Sequence, residues 1–287
     1  MSAHPSGMSV VKDGRFKGMT LQELVERFPE AYLGRSPQPR FPLLIKLIEA
    51  AEHLSVQVHP DDAYALKMEG DYGKTEAWYV LEADDGAEVI HGHRFENRDH
   101  LMRSVKEKSI GNYLGRTRIQ KDDLVYVPSG TLHALLKNTV VLEIQQTSDV
   151  TYRVYDWDRV DMSGKSRELH IEQAADVIRY KPQADPVICI PERMERVRSG
   201  LHERLLVCPY FTIERIGLSA GGVCVLQHGR VGNPDVLIVL EGEGRLECGD
   251  AHEALSFQKG DIMLVPAGLP GYRVHAAGRV KCLRTYY

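Results

Sequence analysis

The amino-acid sequence predicts an all-β protein in which a β-barrel occurs in two copies, decorated by short helical insertions. Two observations carry that expectation. Short stretches rich in Val, Ile and Leu, at residues 43–48, 54–58, 77–81, 124–127 and 140–145, are separated by turn residues, the rhythm of short strands. A block in the first half also returns in the second: Asp122-Asp-Leu-Val-Tyr-Val-Pro128-Ser-Gly130-Thr-Leu-His133 matches Gly260-Asp-Ile-Met-Leu-Val-Pro266-Ala-Gly268-Leu-Pro-Gly271. In each, an acidic or glycine turn leads into an apolar strand, and Pro-x-Gly then bends the chain so that the next side chain points inward. The second copy carries Gly271 where the first carries His133.

The amino terminus, Met1-Ser-Ala-His-Pro-Ser-Gly, has neither a basic nor an apolar targeting region, so a cytoplasmic protein is expected. Thr20-Leu-Gln-Glu23 is a capping box and opens a short helix. Further helices are expected at 61–68 and 97–108. From residue 163 to 198 the chain is charged and contains proline, with a helix expected at 171–180, before strands resume near Leu205. This predicts a metal-binding domain at 1–162, a helical, charged connection at 163–200 and a second, metal-free domain at 201–287. At 287 residues, 43% hydrophobic and 26% charged, the chain can bury a large core. Its net charge of -4, from 36 basic and 40 acidic residues, offers no basic stripe for nucleic acid or an anionic membrane, and no apolar run is long enough to span a bilayer. A small molecule is the expected partner. The five cysteines include no C-x-x-C and read as reduced, structural thiols.

Gln57 and His59 lie two residues apart in a strand, so both face one way, with Val56 and Val58 on the outward side. Glu76 opens a strand at a rim, and His133 closes the Pro-x-Gly turn. Singly, each has an ordinary reading: His59 capping a strand before Pro60, Glu76 in a solvated ion pair with Lys74, His133 as a turn residue. Together they supply two imidazoles, a carboxylate and an amide with positions left open, the donor set of a catalytic zinc site. His91-Gly-His93 is a rival pair, but Gly92 and Arg94 suggest an exposed strand end and argue against it.

Four blocks carry a family resemblance: Phe41-Pro-Leu-Leu-Ile-Lys-Leu-Ile-Glu-Ala, Leu54-Ser-Val-Gln-Val-His-Pro, Gly73-Lys-Thr-Glu-Ala-Trp, and residues 142–159 from Leu142-Glu-Ile-Gln-Gln to Tyr-Asp-Trp-Asp-Arg159. From about residue 2 to the end, the chain resembles the type I mannose-6-phosphate isomerases. The resemblance implies cupin (jelly-roll) barrels, one zinc ion per chain on Gln57, His59, Glu76 and His133, and interconversion of mannose 6-phosphate and fructose 6-phosphate through an enediolate. It also implies that Arg153 is the active-site arginine, that Lys74 and Glu143 stand near the metal, and that Ser55 belongs to a phosphate-binding block; the proton transfer needs a base, for which Glu143 is expected, and Ser55, Lys74 and Arg153 are expected to bind the substrate. The alternative for Arg153 is a buried partner of Asp156 or Asp149. A monomer or weak homodimer is expected. Family members begin with a further segment holding a Trp-Gly-Gly block and a Gly-Glu-Ser-Trp-Glu strand. Its absence here makes a non-catalytic sugar-phosphate-binding or regulatory cupin the alternative function. A metal-dependent oxygenase is disfavoured by Gln57, where a second histidine would be needed.

Overall fold

Local sequence starts the first helix. The Thr20 hydroxyl accepts from the Glu23 N–H while the Glu23 carboxylate accepts from the Thr20 N–H, and α1 (Leu21–Arg27) follows, then α2 (Pro29–Tyr32) with proline in its first turn. The computed structural model describes residues 1–181, 187–194, 197–249 and 254–287, which fall into two units, Leu44–Cys189 and Met1–Leu43 with Ile190–Tyr287.

The first unit contains β1 (Leu43–Ala50), β2 (Val56–Val58), α3 (Asp62–Met68), β3 (Glu76–Ala83), β4 (Glu88–His93), α4 (Arg98–Lys106), β5 (Leu114–Arg118), β6 (Leu124–Val127), β7 (His133–Leu135), β8 (Thr139–Gln146), β9 (Tyr152–Tyr155) and α5 (Ile171–Val177). The strands form a sheet ordered β1-β8-β3-β6 and another ordered β5-β4-β7-β2-β9. A core of Trp78, Val80, Val125 and Val141 from the first meets Val89 and Leu135 from the second. The opposite face of the five-stranded sheet, with Val56, Val58 and Val154, is covered by Leu101 of α4 and Ala174 and Ala175 of α5. Val56 and Val58 do lie apart from Gln57, but they are fully buried under helices.

The second unit contains β10 (Glu192–Arg193), β11 (Arg198–Val207), β12 (Thr212–Leu226), β13 (Asp235–Glu241), β14 (Glu243–Cys248), β15 (Ala254–Gln258), β16 (Ile262–Val265), β17 (Tyr272–Ala276) and β18 (Val280–Tyr286). The sheet runs β15-β14-β17-β12-β18-β13-β16, with β11 added on β12 and β10 on β11. It encloses Ile216, Leu226, Leu237, Phe257, Val274 and Cys282.

The helices at 61–68 and 97–108 are present with Asp61 and Asn97 as N-caps. The helix expected at 171–180 ends at Val177, because Ile178 turns extended and enters the core. The domain boundaries differ from those expected at 162 and 200. Residues 1–43 belong with the carboxy-terminal strands: Arg35 N–H donates to Asn233 Oδ1 (2.8 Å), Tyr287 Oη–H donates to the Leu33 carbonyl (2.9 Å), and Phe41 meets Tyr287 edge-on. Gly34, with φ 56°, lies so close to the Gly232 carbonyl that a Cβ would be 2.2 Å from it. Of the connection expected at 163–200, residues 182–186 and 195–196 lie outside the described residues. The part up to Cys189 packs on the first unit through α5 and an Ile188–Val125 bridge.

Candidate metal centre

The pleat and register of β2, β3 and β7 bring three predicted ligands together. Gln57 of β2 stands directly opposite His133 of β7, and Glu76 is the first residue of β3. His59 Nδ1 lies 2.8 Å from the Val150 carbonyl, and His133 Nδ1 lies 2.8 Å from the Thr131 carbonyl. A carbonyl only accepts, so both Nδ1 atoms carry the proton and both Nε2 atoms present a lone pair. Those lone pairs face Glu76: His59 Nε2 is 3.4 Å from Oε2 and His133 Nε2 is 3.3 Å from Oε1. The three side chains are essentially inaccessible, at 1%, 0% and 1% exposure, and Glu76 is interior rather than at an exposed rim. Among the described residues neither Glu76 oxygen has a hydrogen-bond partner.

Buried acceptors that face one another without a proton between them repel unless a cation joins them. Ligand atoms on one zinc ion, at bonds of about 2.0–2.1 Å in a tetrahedron, sit roughly 3.3–3.4 Å apart, so both imidazole–carboxylate separations already suit one ion. The Gln57 amide lies beside the triad, with Nε2 3.4 Å from His133 Nε2. An amide's nitrogen and oxygen exchange by a half-turn, so this group can present oxygen to the same point. The donor set fits a divalent metal.

Charge around the triad follows from burial. Burial and the Lys74 charge lower the His59 pKa, and burial first pushes that of His133 down to about 4, so both rings are neutral near pH 7. Burial opposes ionisation of Glu76, but the Lys74 charge outweighs it and holds the carboxyl well below its usual range. Lys74 Nζ is 3.5 Å from Glu76 Oε2. Burial works against its charge, and Glu76 and Glu143 more than offset that, so it stays protonated. Glu143 of β8 pairs in register with Trp78 of β3, whose indole N–H donates to Oε2 (3.3 Å), while Lys46 Nζ is 3.6 Å from Oε1. Burial, then the Glu76 charge, raises the Glu143 pKa above the carboxylate norm.

The approach to Glu76 is pinned by main-chain bonds. Gly73 N–H donates to Asp62 Oδ1 (2.8 Å), Thr75 N–H to Gln146 Oε1 (2.9 Å), and Gln146 Nε2 to the same Asp62 (3.0 Å). A Cβ on Gly73 would lie 2.5 Å from the Asp61–Asp62 peptide, so only glycine fits. Arg153 of β9 is opposite Gln57 on its other side and leaves the sheet on the same face. Its Nη1 donates to the Glu168 carbonyl (2.9 Å), and Asp156 takes Arg159 and Arg167 as ion-pair partners instead. Ser55 is buried one residue before β2. The rival pair separates: positive φ at Gly92 breaks the alternation, His91 Nε2 contacts the Tyr126 carbonyl (2.8 Å), and His93 packs on Phe95 and Tyr180. Both are half-buried rather than exposed.

The family model described as phosphomannose isomerase type I, catalytic domain, matches residues 1–88. Over 268 residues the chain is 43% identical to the mannose-6-phosphate isomerase of Streptococcus mutans, covering 93% of this chain and 81% of that protein. It belongs to the type I mannose-6-phosphate isomerase family. Mannose-6-phosphate isomerase ManA of Bacillus subtilis is 40% identical, covering 98% of this chain and 86% of the relative. The crystal structure of the mannose 6-phosphate isomerase from Bacillus subtilis superposes with a TM-score of 0.89 at 36% identity, covering 100% of this chain and 88% of that one.

Within this type I isomerase family member, sequence reasoning missed three contributors. Lys46, which also donates to Gln145 Oε1 (3.0 Å), approaches Glu143 from β1; its signal was a lone lysine inside an apolar run. Asp62 and Gln146 lock the loop before Glu76, and they are 84 residues apart, so no local pattern links them.

Proposed function

We propose that this chain is a zinc-dependent isomerase interconverting mannose 6-phosphate and fructose 6-phosphate, with one zinc ion held by Gln57, His59, Glu76 and His133 in a cupin-type barrel, and that its second unit is a metal-free barrel. The observation that carries the reading is the buried triad in which both imidazoles have their Nδ1 protons engaged and turn Nε2 toward Glu76. Family membership supports the reaction, and five free cysteines fit a reducing cytoplasm.

Aldose–ketose exchange moves a proton between C2 and C1 while negative charge grows on the neighbouring oxygen. Zinc, when bound, supplies a Lewis acid that stabilises that charge. Glu143 is the base: burial and the Glu76 charge raise its pKa and so strengthen it as a proton acceptor, and the Trp78 N–H fixes its carboxylate. Lys74 stays protonated and places a positive charge at the reacting oxygens. Arg153, on the same face as Gln57, and Ser55 hold the phosphate end of the sugar, orienting C1 and C2 toward Glu143.

Purified chain loaded with zinc should form fructose 6-phosphate from mannose 6-phosphate. Stabilisation by sugar phosphate without turnover would instead support a binding role. His59→Ala should lose both metal, read by elemental analysis, and turnover. Retention of both would remove His59 from the site.

A further inference from the structure

The strand pairing of the first unit recurs in the second, so the metal-centre positions can be counted off residue by residue. In β3, Glu76 pairs with Val127, the residue before Pro128. In β13, Asp235 pairs with Val265, the residue before Pro266. Asp235 therefore holds the place of Glu76. Two residues further along, Trp78 of β3 pairs with Glu143 of β8, and Leu237 of β13 pairs with Arg284 of β18, so Arg284 holds the place of Glu143. Gly271 stands at His133. The β12–β17 register, which ends at Leu226 with Tyr272, places Gln227 opposite Gly271 as Gln57 is opposite His133. Counting on, Gly229 stands at His59. The second unit has thus kept the carboxylate and the amide and lost both imidazoles. The space beside Gly229 is taken by the Tyr286 ring, which a Cβ there would meet at 2.1 Å.

Asp235 is fully buried and still needs a counter-charge. Arg284, 4% exposed, supplies it. Its Nε and Nη2 donate to Asp235 Oδ2 at 3.1 and 2.7 Å, its Nη1 donates to Glu214 Oε2 at 3.0 Å, and Nη2 also donates to the Gln227 carbonyl. Tyr272 Oη–H donates to Asp235 Oδ2 (2.8 Å), and His202 and Tyr286 complete the ligation of Glu214 at 2.9 Å each. His228 stands by, with Nδ1 3.5 Å from Asp235 Oδ2, its side chain 7% exposed and neither ring nitrogen hydrogen-bonded among the described residues.

We infer that Arg284 is the internal cation of the second unit: its guanidinium balances the retained carboxylate at a remnant metal position, and removing it opens a cation-binding site lined by Asp235, Glu214, His202 and His228. A fixed side-chain cation keeps this unit independent of metal supply. Breaking a buried pair by deleting one partner leaves an uncompensated charge, whereas deleting both charges does not.

The test is Arg284→Ala in the full chain. Amide protection in β13 and β18, read by hydrogen exchange, should fall about tenfold or more and return with millimolar guanidinium ion, a fragment that fits the vacated space, or with zinc. The variant should also bind more zinc per chain than its parent, a difference that does not depend on what the first unit holds. Unchanged protection, or a loss that neither cation restores, overturns the inference. If Arg284→Ala does not fold, the combination of Asp235→Asn, Glu214→Gln and Arg284→Met decides, since Arg284 pairs with both carboxylates: recovery of a folded chain supports charge balance, and a combination no better than the single variant refutes it.

Discussion

Lys46 and Leu47 sit the opposite way round from what side-chain hydropathy dictates. Leu47 is 69% exposed on β1, while the Lys46 ammonium turns toward Glu143 and Gln145. An aliphatic stem can lie along apolar surface while its charged head reaches a buried carboxylate, and a hydropathy pattern does not register such a target. His59 and His133 were legible because imidazoles in an apolar strand run demand a partner. What orients them was not, since the Val150 carbonyl lies 91 residues from His59. Two outcomes follow at this scale. Glu143→Gln should keep its metal and lower kcat by roughly 10²–10⁴-fold, the ordinary contribution of a general base, which steady-state kinetics with parallel metal analysis will show. Trp78→Phe removes the N–H that fixes this carboxylate while keeping an aromatic ring in the core, and should lower kcat with little change in KM.

Elements were easier to read than their contacts. Short runs rich in Val, Ile and Leu between turn residues located β1, β2, β3, β6 and β8 because a strand's pattern is written in adjacent residues. Caps at Thr20, Asp61 and Asn97 marked three helix starts for the same reason. The loop before β3 is a different matter: the Gly73 N–H is held by Asp62, and its missing Cβ makes room for the Asp61–Asp62 peptide, neither of which a local pattern shows. Gly73→Ala should displace Glu76 and weaken metal binding by about 10–100-fold, as loss of an outer support does, measured by competition with a chelator. Thr20→Ala should cost about 1 kcal/mol in denaturant unfolding through loss of its cap. A change within error there would mean that packing alone holds α1.

Both tryptophans, Trp78 and Trp157, belong to the unit Leu44–Cys189, so intrinsic fluorescence reports that unit. Stripping the metal should lower the fluorescence melting temperature, since a ligand at a hundred times its Kd contributes about 2.7 kcal/mol to the state that binds it. Acid should act on the other unit through Glu214. Burial opposes its ionisation, but His202 and Arg284 outweigh this and hold its pKa below the usual value. A carboxylate with a lowered folded pKa contributes stability that is complete above the unfolded value, about 4.3, and is lost as pH falls through the lower folded one. The stability gap between parent and Glu214→Gln in far-UV circular dichroism melts should therefore hold from pH 7 to about 4.5 and narrow below that. A gap that narrows already above pH 5 contradicts the assignment. By itself the sequence determined the β character, the repeated strand-turn block and the candidate ligands His59, Glu76 and His133 that the fold gathers, because period, turn chemistry and donor type are local properties of a chain. Only the tertiary structure decided that residues 1–43 complete the carboxy-terminal unit, that Lys46 faces inward, and that an arginine holds the second unit's counterpart of the metal centre. Those outcomes rest on pairings between residues far apart in the chain, set by strand register and by the cost of leaving a buried charge unmatched.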